Sequence, residues 1–140
     1  MKTIIGLCLL ASISFTYLAC SQSDEISNNY ELGEMIELRV GEKASLANTD
    51  ILLNFMDIAE DSRCPDNDDP CIWEGRAIAA VQLHFNEETY NLNLISRSGF
   101  PQKAEQQVNG RTFRLVNVSP YPSSPQAIDK GDYIISLVVE

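Results

Sequence analysis

An all-β fold, an antiparallel β-sandwich of seven or eight strands in the immunoglobulin manner, is what this sequence predicts; a small β-barrel is the alternative. Three observations carry the prediction. Apolar residues occupy alternate places along short runs, most clearly Ala77, Ala79, Val81, Leu83 and Phe85, with Gln82 and His84 facing the other way, and again Tyr133, Ile135, Leu137 and Val139. Turn-forming residues separate these runs, and Asn109-Gly110 is the strongest hairpin signal because both residues tolerate positive φ. After residue 19, no segment combines helical periodicity with helix caps.

In chain order, residues 1–19 have the parts of a secretory signal: Lys2, an apolar run from Ile4 to Leu18, and small residues before a cysteine. The run is too short for a membrane span. Its end, Leu18-Ala19-Cys20, resembles the lipobox of bacterial lipoproteins. That resemblance implies cleavage before Cys20 and acylation of its thiol. Each buried methylene contributes about 0.8 kcal/mol to membrane partitioning, so two or three chains on Cys20 would anchor the protein without a spanning helix. Residues 20–33 then read as the lipidated cysteine and a polar tether, and residues 34–140 as one domain. Ser21 follows the cysteine where an inner-membrane retention signal would place aspartate, and Asp24 and Glu25 are similar to the acidic signals of some surface lipoproteins. The expected location is the bacterial cell envelope, at the outer membrane, in either leaflet.

Residues 35–40 alternate, with Ile36, Leu38 and Val40 on one face, and residues 41–43 turn into a short strand at 44–46. The strand at 51–60 slips in period. Ile51, Leu53 and Phe55 share a face that Ile58 does not, so a bulge is expected near residues 54–57. The runs ending at Phe85 and starting near Tyr90 form a hairpin across residues 86–88. A polar loop at 96–105 leads to the Asn109-Gly110 turn and a strand at 111–118 with Phe113 and Leu115 inward. Residues 119–131 hold Pro120, Pro122 and Pro125, which lack backbone donors and favour extended loop.

Without residues 1–19 the chain carries nine bases against twenty acids, a formal charge of −11. Nucleic-acid and bare anionic-lipid binding are disfavoured, since phosphate contacts are made by Lys and Arg. Of four cysteines, Cys8 leaves with the signal and Cys20 takes lipid, which leaves Cys64 and Cys71 in a compartment where disulfides persist. A bridge is expected. Zinc, the rival, lacks further ligands, since the chain has one histidine and no second cysteine pair.

Asp61-Ser62-Arg63-Cys64-Pro65, then Cys71-Ile72-Trp73-Glu74-Gly75, then Pro120-Tyr121-Pro122 before Tyr133 resemble a group of small uncharacterised bacterial lipoproteins and exported proteins. Its members share Ser-Arg-Cys-Pro, a short gap and Cys-x-Trp-x-Gly. The likeness spans most of residues 36–140 and implies no established activity. The acidic gap here departs from the pattern.

In its structural reading the cysteine loop is a staple, with Trp73 packed over it and Arg63 paired to an acid. In its functional reading it is a rigid recognition loop, with Arg63, Asp66, Asp68, Asp69, Trp73 and Tyr121 as candidate contacts. The aspartates, with Asp61 or Glu74, match no established calcium-loop spacing, so no metal or cofactor is expected. Tyr121 is expected to turn inward and plug one end of the sandwich. His84 lies on the polar side of its strand, and no serine sits in a nucleophile elbow, so no catalytic residue is assigned. The function expected is therefore a non-catalytic, membrane-anchored interaction or accessory module, with loops 61–71 and 119–131 contacting an envelope protein or glycan. A purely structural lipoprotein and a carboxylate-based hydrolase are the alternatives.

Overall fold

The computed structural model describes residues 28–65, 71–73, 75–96, 104–123 and 127–140. Cys20, Asp66, Asp68, Asp69 and Glu74 lie outside the described residues, as do the signal and most of the tether.

Among the described residues, nine strands build two sheets. They are β1 (Asn28–Tyr30), β2 (Met35–Arg39), β3 (Lys43–Leu46), β4 (Leu52–Asp61), β5 (Ala77–Phe85), β6 (Glu88–Ser96), β7 (Glu105–Val108), β8 (Arg111–Ser119) and β9 (Ile134–Val139). One sheet has the order β1-β3-β4-β5-β6, the other β2-β9-β8-β7. All pairings are antiparallel except β1 with β3. The sheets do not close into a barrel, and the molecule is a β-sandwich. Its core lies between them, where Phe55, Leu83 and Leu94 of one sheet and Ile36, Phe113 and Leu137 of the other are fully buried. A side chain of this kind stabilises by about 1.5–3 kcal/mol when withdrawn from water, so the alternating runs dictate which faces meet.

Two differences from the expected strands have physical causes. The count is nine rather than seven or eight because β7 completes the Asn109-Gly110 hairpin and because Asn28–Tyr30, inside the stretch read as tether, pairs with β3. Asn28 and Asn29 have no apolar pattern, and their pairing rests on the free edge of β3. At the hairpin tips, Asn86 and Glu87 as well as Asn109 and Gly110 adopt positive φ, the conformation of a two-residue turn matched to strand twist.

Bulges set which residues of β4 and β8 face the core. Between the Phe55–Val81 and Asp57–Ala80 pairs, Met56 is the extra residue; it is exposed, and Ile58 returns to the core opposite Ala79. This is the bulge that the slipped period predicts. A second lies one step on, between the Ile58–Ala79 and Glu60–Ile78 pairs, and it turns Asp61 to the core side, opposite the buried Ala77. In β8 a shift between Leu115 and Asn117 leaves Val116 exposed and brings Val118 inward.

Candidate functional site

The second bulge of β4 places a carboxylate at one end of the sandwich, on the inner side, where a charge requires a partner. Arg63 supplies it. Its Nε donates to Asp61 Oδ1 at 2.8 Å and its Nη2 to Asp61 Oδ2 at 2.7 Å, a two-point pairing of guanidinium and carboxylate. The two side chains are only 7% and 9% exposed. Arg63 then reaches across the sandwich. Its Nη1 donates to the Val118 carbonyl at 2.5 Å and its Nη2 to the Pro120 carbonyl at 2.9 Å, so one residue after β4 ties down the end of β8 in the opposite sheet. Tyr133, just before β9, donates its hydroxyl to Asp61 Oδ2 at 2.9 Å. The Tyr121 ring lies under the guanidinium, 5.1 Å from Cζ to the ring centre, within cation–π range.

This cluster is an inter-sheet clasp, and it corrects three expectations. Arg63, a candidate contact residue, is turned inward and fully engaged. Tyr121 does not plug the sandwich; it is 53% exposed and stacks on Arg63. Trp73 is not packed over the bridge: it is 80% exposed, and neighbouring Ile72 is 91% exposed. Arg63 does pair with an acid, as the structural reading holds. Loops 61–71 and 119–131, far apart in sequence, meet at this end of the molecule through Arg63.

The base of the loop between β4 and β5 continues the sheet. Ser62 N donates to the Arg76 carbonyl at 2.8 Å, and Arg76 pairs with Glu60 through two hydrogen bonds at the surface. These bonds hold the Glu60 carboxyl below its ordinary range. Cys64 and Cys71 form the expected disulfide, with their Cα atoms 6.0 Å apart. Closing so short a loop stabilises by about 2.5 kcal/mol through the unfolded chain. A Cys64→Ser/Cys71→Ser variant is therefore expected to lose about that much in urea unfolding while retaining the sandwich's circular dichroism. A loss near zero would show that the bridge constrains nothing.

Gly75 closes the motif for a steric reason. It has φ +68°, and a Cβ there would stand 1.9 Å from the Ser62 carbonyl oxygen. Only glycine lets the returning chain lie against Ser62 and Arg63. The glycine of Cys-x-Trp-x-Gly thus belongs to the clasp, as do the serine and arginine of Ser-Arg-Cys-Pro. Tyr133 and Gly75 are roles that alternation cannot reveal, since both depend on which backbone arrives beside them.

The electrostatics of the clasp follow from its geometry. Burial pushes the Asp61 carboxyl up, but the hydrogen bonds from Arg63 and Tyr133 and the Arg63 charge outweigh it and leave the group below its ordinary value. Its contribution to stability is complete above the unfolded value near pH 4 and is lost as pH falls through the lower folded value. Burial, and then the hydrogen bond and charge of Asp61, push Tyr133 up to about 12. That contribution is complete below the unfolded value of about 10 and is lost as pH rises through about 12. Tyr133→Phe is expected to cost about 1.5 kcal/mol at neutral pH and to remove Tyr133's share of the loss of stability between about pH 10 and 12, leaving that of Tyr90. Urea midpoints across that range test it; an unchanged alkaline slope would place Tyr133 outside the clasp.

Both oxygens of Asp61 are engaged by Arg63 and Tyr133. His84 faces Thr89 across the β5–β6 hairpin, 2.9 Å from Nδ1 to Oγ1. Among the described residues, no three His, Cys, Asp or Glu side chains are grouped to hold a metal ion. No family model, curated protein or solved structure matches the chain.

Proposed function

We propose that this chain is a lipid-anchored module of the bacterial cell envelope, held at the outer membrane by acylated Cys20, and that it acts by contact rather than catalysis. The observation that carries the reading is the exposure of Ile72 and of Trp73, the single tryptophan of the chain, on a loop whose base is fixed. Adjacent large apolar side chains this exposed are a mark of contact surfaces. The preceding disulfide, the Ser62–Arg76 pairing and the Arg63 clasp restrict the loop, so a partner would bind it with little further loss of chain entropy. The competing reading, a purely structural lipoprotein, draws on the same clasp: Asp61, Arg63, Gly75 and Tyr133 all have interior work. Ile72 and Trp73 do not.

The anchor is tested by mass spectrometry of the N-terminal peptide and by Cys20→Ser, which is expected to remove the acyl mass and release the protein from membranes. The contact surface is tested by hydroxyl-radical footprinting of Trp73 on producing cells and on the purified chain. Protection of Trp73 on cells, with Met56 equally reactive in both, is the expected result. Equal reactivity of Trp73 in both would leave the tip without a contact and favour the structural reading.

A further inference from the structure

We infer that Ile72 and Trp73 dip into the interfacial layer of the bilayer that holds Cys20, fixing the orientation of the domain on its membrane. The inference rests on the lipid anchor proposed above and names the occupant of the exposed tip. Strand direction is its first support. Asn28 pairs with Ala44, which pairs with Leu53; β1 runs parallel to β3, and β3 antiparallel to β4. The first residue of β1 therefore faces the end of the sandwich at which β4 finishes, where Asp61 and the cysteine loop lie. The segment that carries the anchor leaves β1 in the direction of the end that presents the tip.

Reach is the second support. Residues 20–27 number eight and span at most about 28 Å when extended. From the level of Leu53 to that of Asp61, β4 covers about 26 Å, less what its two bulges remove. The tether is about as long as that distance. Extended along the sheet, it can bring Cys20 level with the cysteine-loop end. Side-chain chemistry is the third support. Tryptophan favours the headgroup level and isoleucine the acyl boundary, and the two are adjacent and exposed. With twenty acids and nine bases after the signal, the domain is repelled by anionic lipid, so the layer it fits is zwitterionic.

Because Trp73 is the only tryptophan, its emission reports the tip directly. The lipidated full chain is reconstituted on phosphatidylcholine vesicles with and without lipids brominated near the headgroup end of the acyl chain, and flotation is read alongside fluorescence. Expected are flotation, a blue-shifted emission, roughly two-fold quenching by the brominated lipid, less quenching when phosphatidylglycerol is added, and loss of quenching in Ile72→Asp. Flotation with solvent-like, unquenched emission overturns the inference and leaves the anchor standing. Shielding from iodide without bromolipid quenching also overturns it, because protein would then cover the tip. Failure to float overturns the anchor and, with it, the inference.

Discussion

Gly75→Ala is expected to lower the unfolding free energy by about 3 kcal/mol or more, the largest effect of a methyl group added at any of the described glycines. The added Cβ would lie 1.9 Å from the Ser62 oxygen, 2.6 Å from its carbonyl carbon and 2.7 Å from the Arg63 Cα. All three are backbone atoms, so no side-chain rotation relieves the overlap. Moving Ser62 breaks its pairing with Arg76, and moving Arg63 pulls its guanidinium from Asp61 and from the Val118 and Pro120 carbonyls. The residue's own φ of +68° adds the strain of a left-handed non-glycine. Gly110→Ala is the control. Its φ is +78° but no atom lies within 4 Å of where the methyl would stand, so only the backbone term remains, about 1–2 kcal/mol. Urea unfolding of both variants separates the two contributions, and equal losses would remove the close approach from the account.

The second large effect is expected for Arg63→Ala, a loss of about 3–5 kcal/mol. The substitution leaves Asp61 charged on the inner side of the sandwich with only the Tyr133 hydroxyl and the backbone N–H of residue 63 as donors, and strips the Val118 and Pro120 carbonyls of their shared partner. A buried charge without its partner costs far more than the intact pair contributes, which is why the loss is large although the pair itself is only modestly stabilising. Arg63→Lys keeps the charge but not the fork that meets Asp61 at two points and two carbonyls besides, so an intermediate loss is expected. Asp61→Asn in the Arg63→Ala background removes the orphaned charge and is expected to recover part of the stability. A double-mutant cycle by chemical denaturation measures the coupling; independent, additive losses would contradict the clasp.

The sandwich was legible because Ala77, Ala79, Val81 and Leu83 of β5 and Ile135, Leu137 and Val139 of β9 fall at every second place, and because Asn109-Gly110 can hardly do anything but turn. The bulge at Met56 was legible too, since Ile58 lies beyond it to register the slipped parity. The second bulge carries no such mark: Ala59 is its extra residue, Glu60 and Asp61 follow it, and none of them shows which face is inward. That silence hid the clasp. Asp61 and Arg63 look like solvated loop charges until the ends of β8 and β9 are placed beside them, and nothing local in sequence does so. Tyr121 and Trp73 were misplaced for the same reason in reverse, as large aromatic rings were expected to find cover. The carbonyls of Val118 and Pro120 draw in Arg63, Tyr121 stacks on it from outside, and Trp73 is left facing solvent. β1 escaped notice because Asn28, Asn29 and Tyr30 carry no apolar alternation to mark a strand.

The motif thus divides into residues that hold the sandwich shut and residues that the sandwich holds out. Urea unfolding of an Ile72→Ser/Trp73→Ser variant, followed by far-ultraviolet circular dichroism, tests that division most directly. Side chains that exposed support no packing, so the variant is predicted to unfold within about 0.5 kcal/mol of the native chain. A loss approaching that of Arg63→Ala would make Ile72 and Trp73 part of the fold and contradict their assignment as the contact surface.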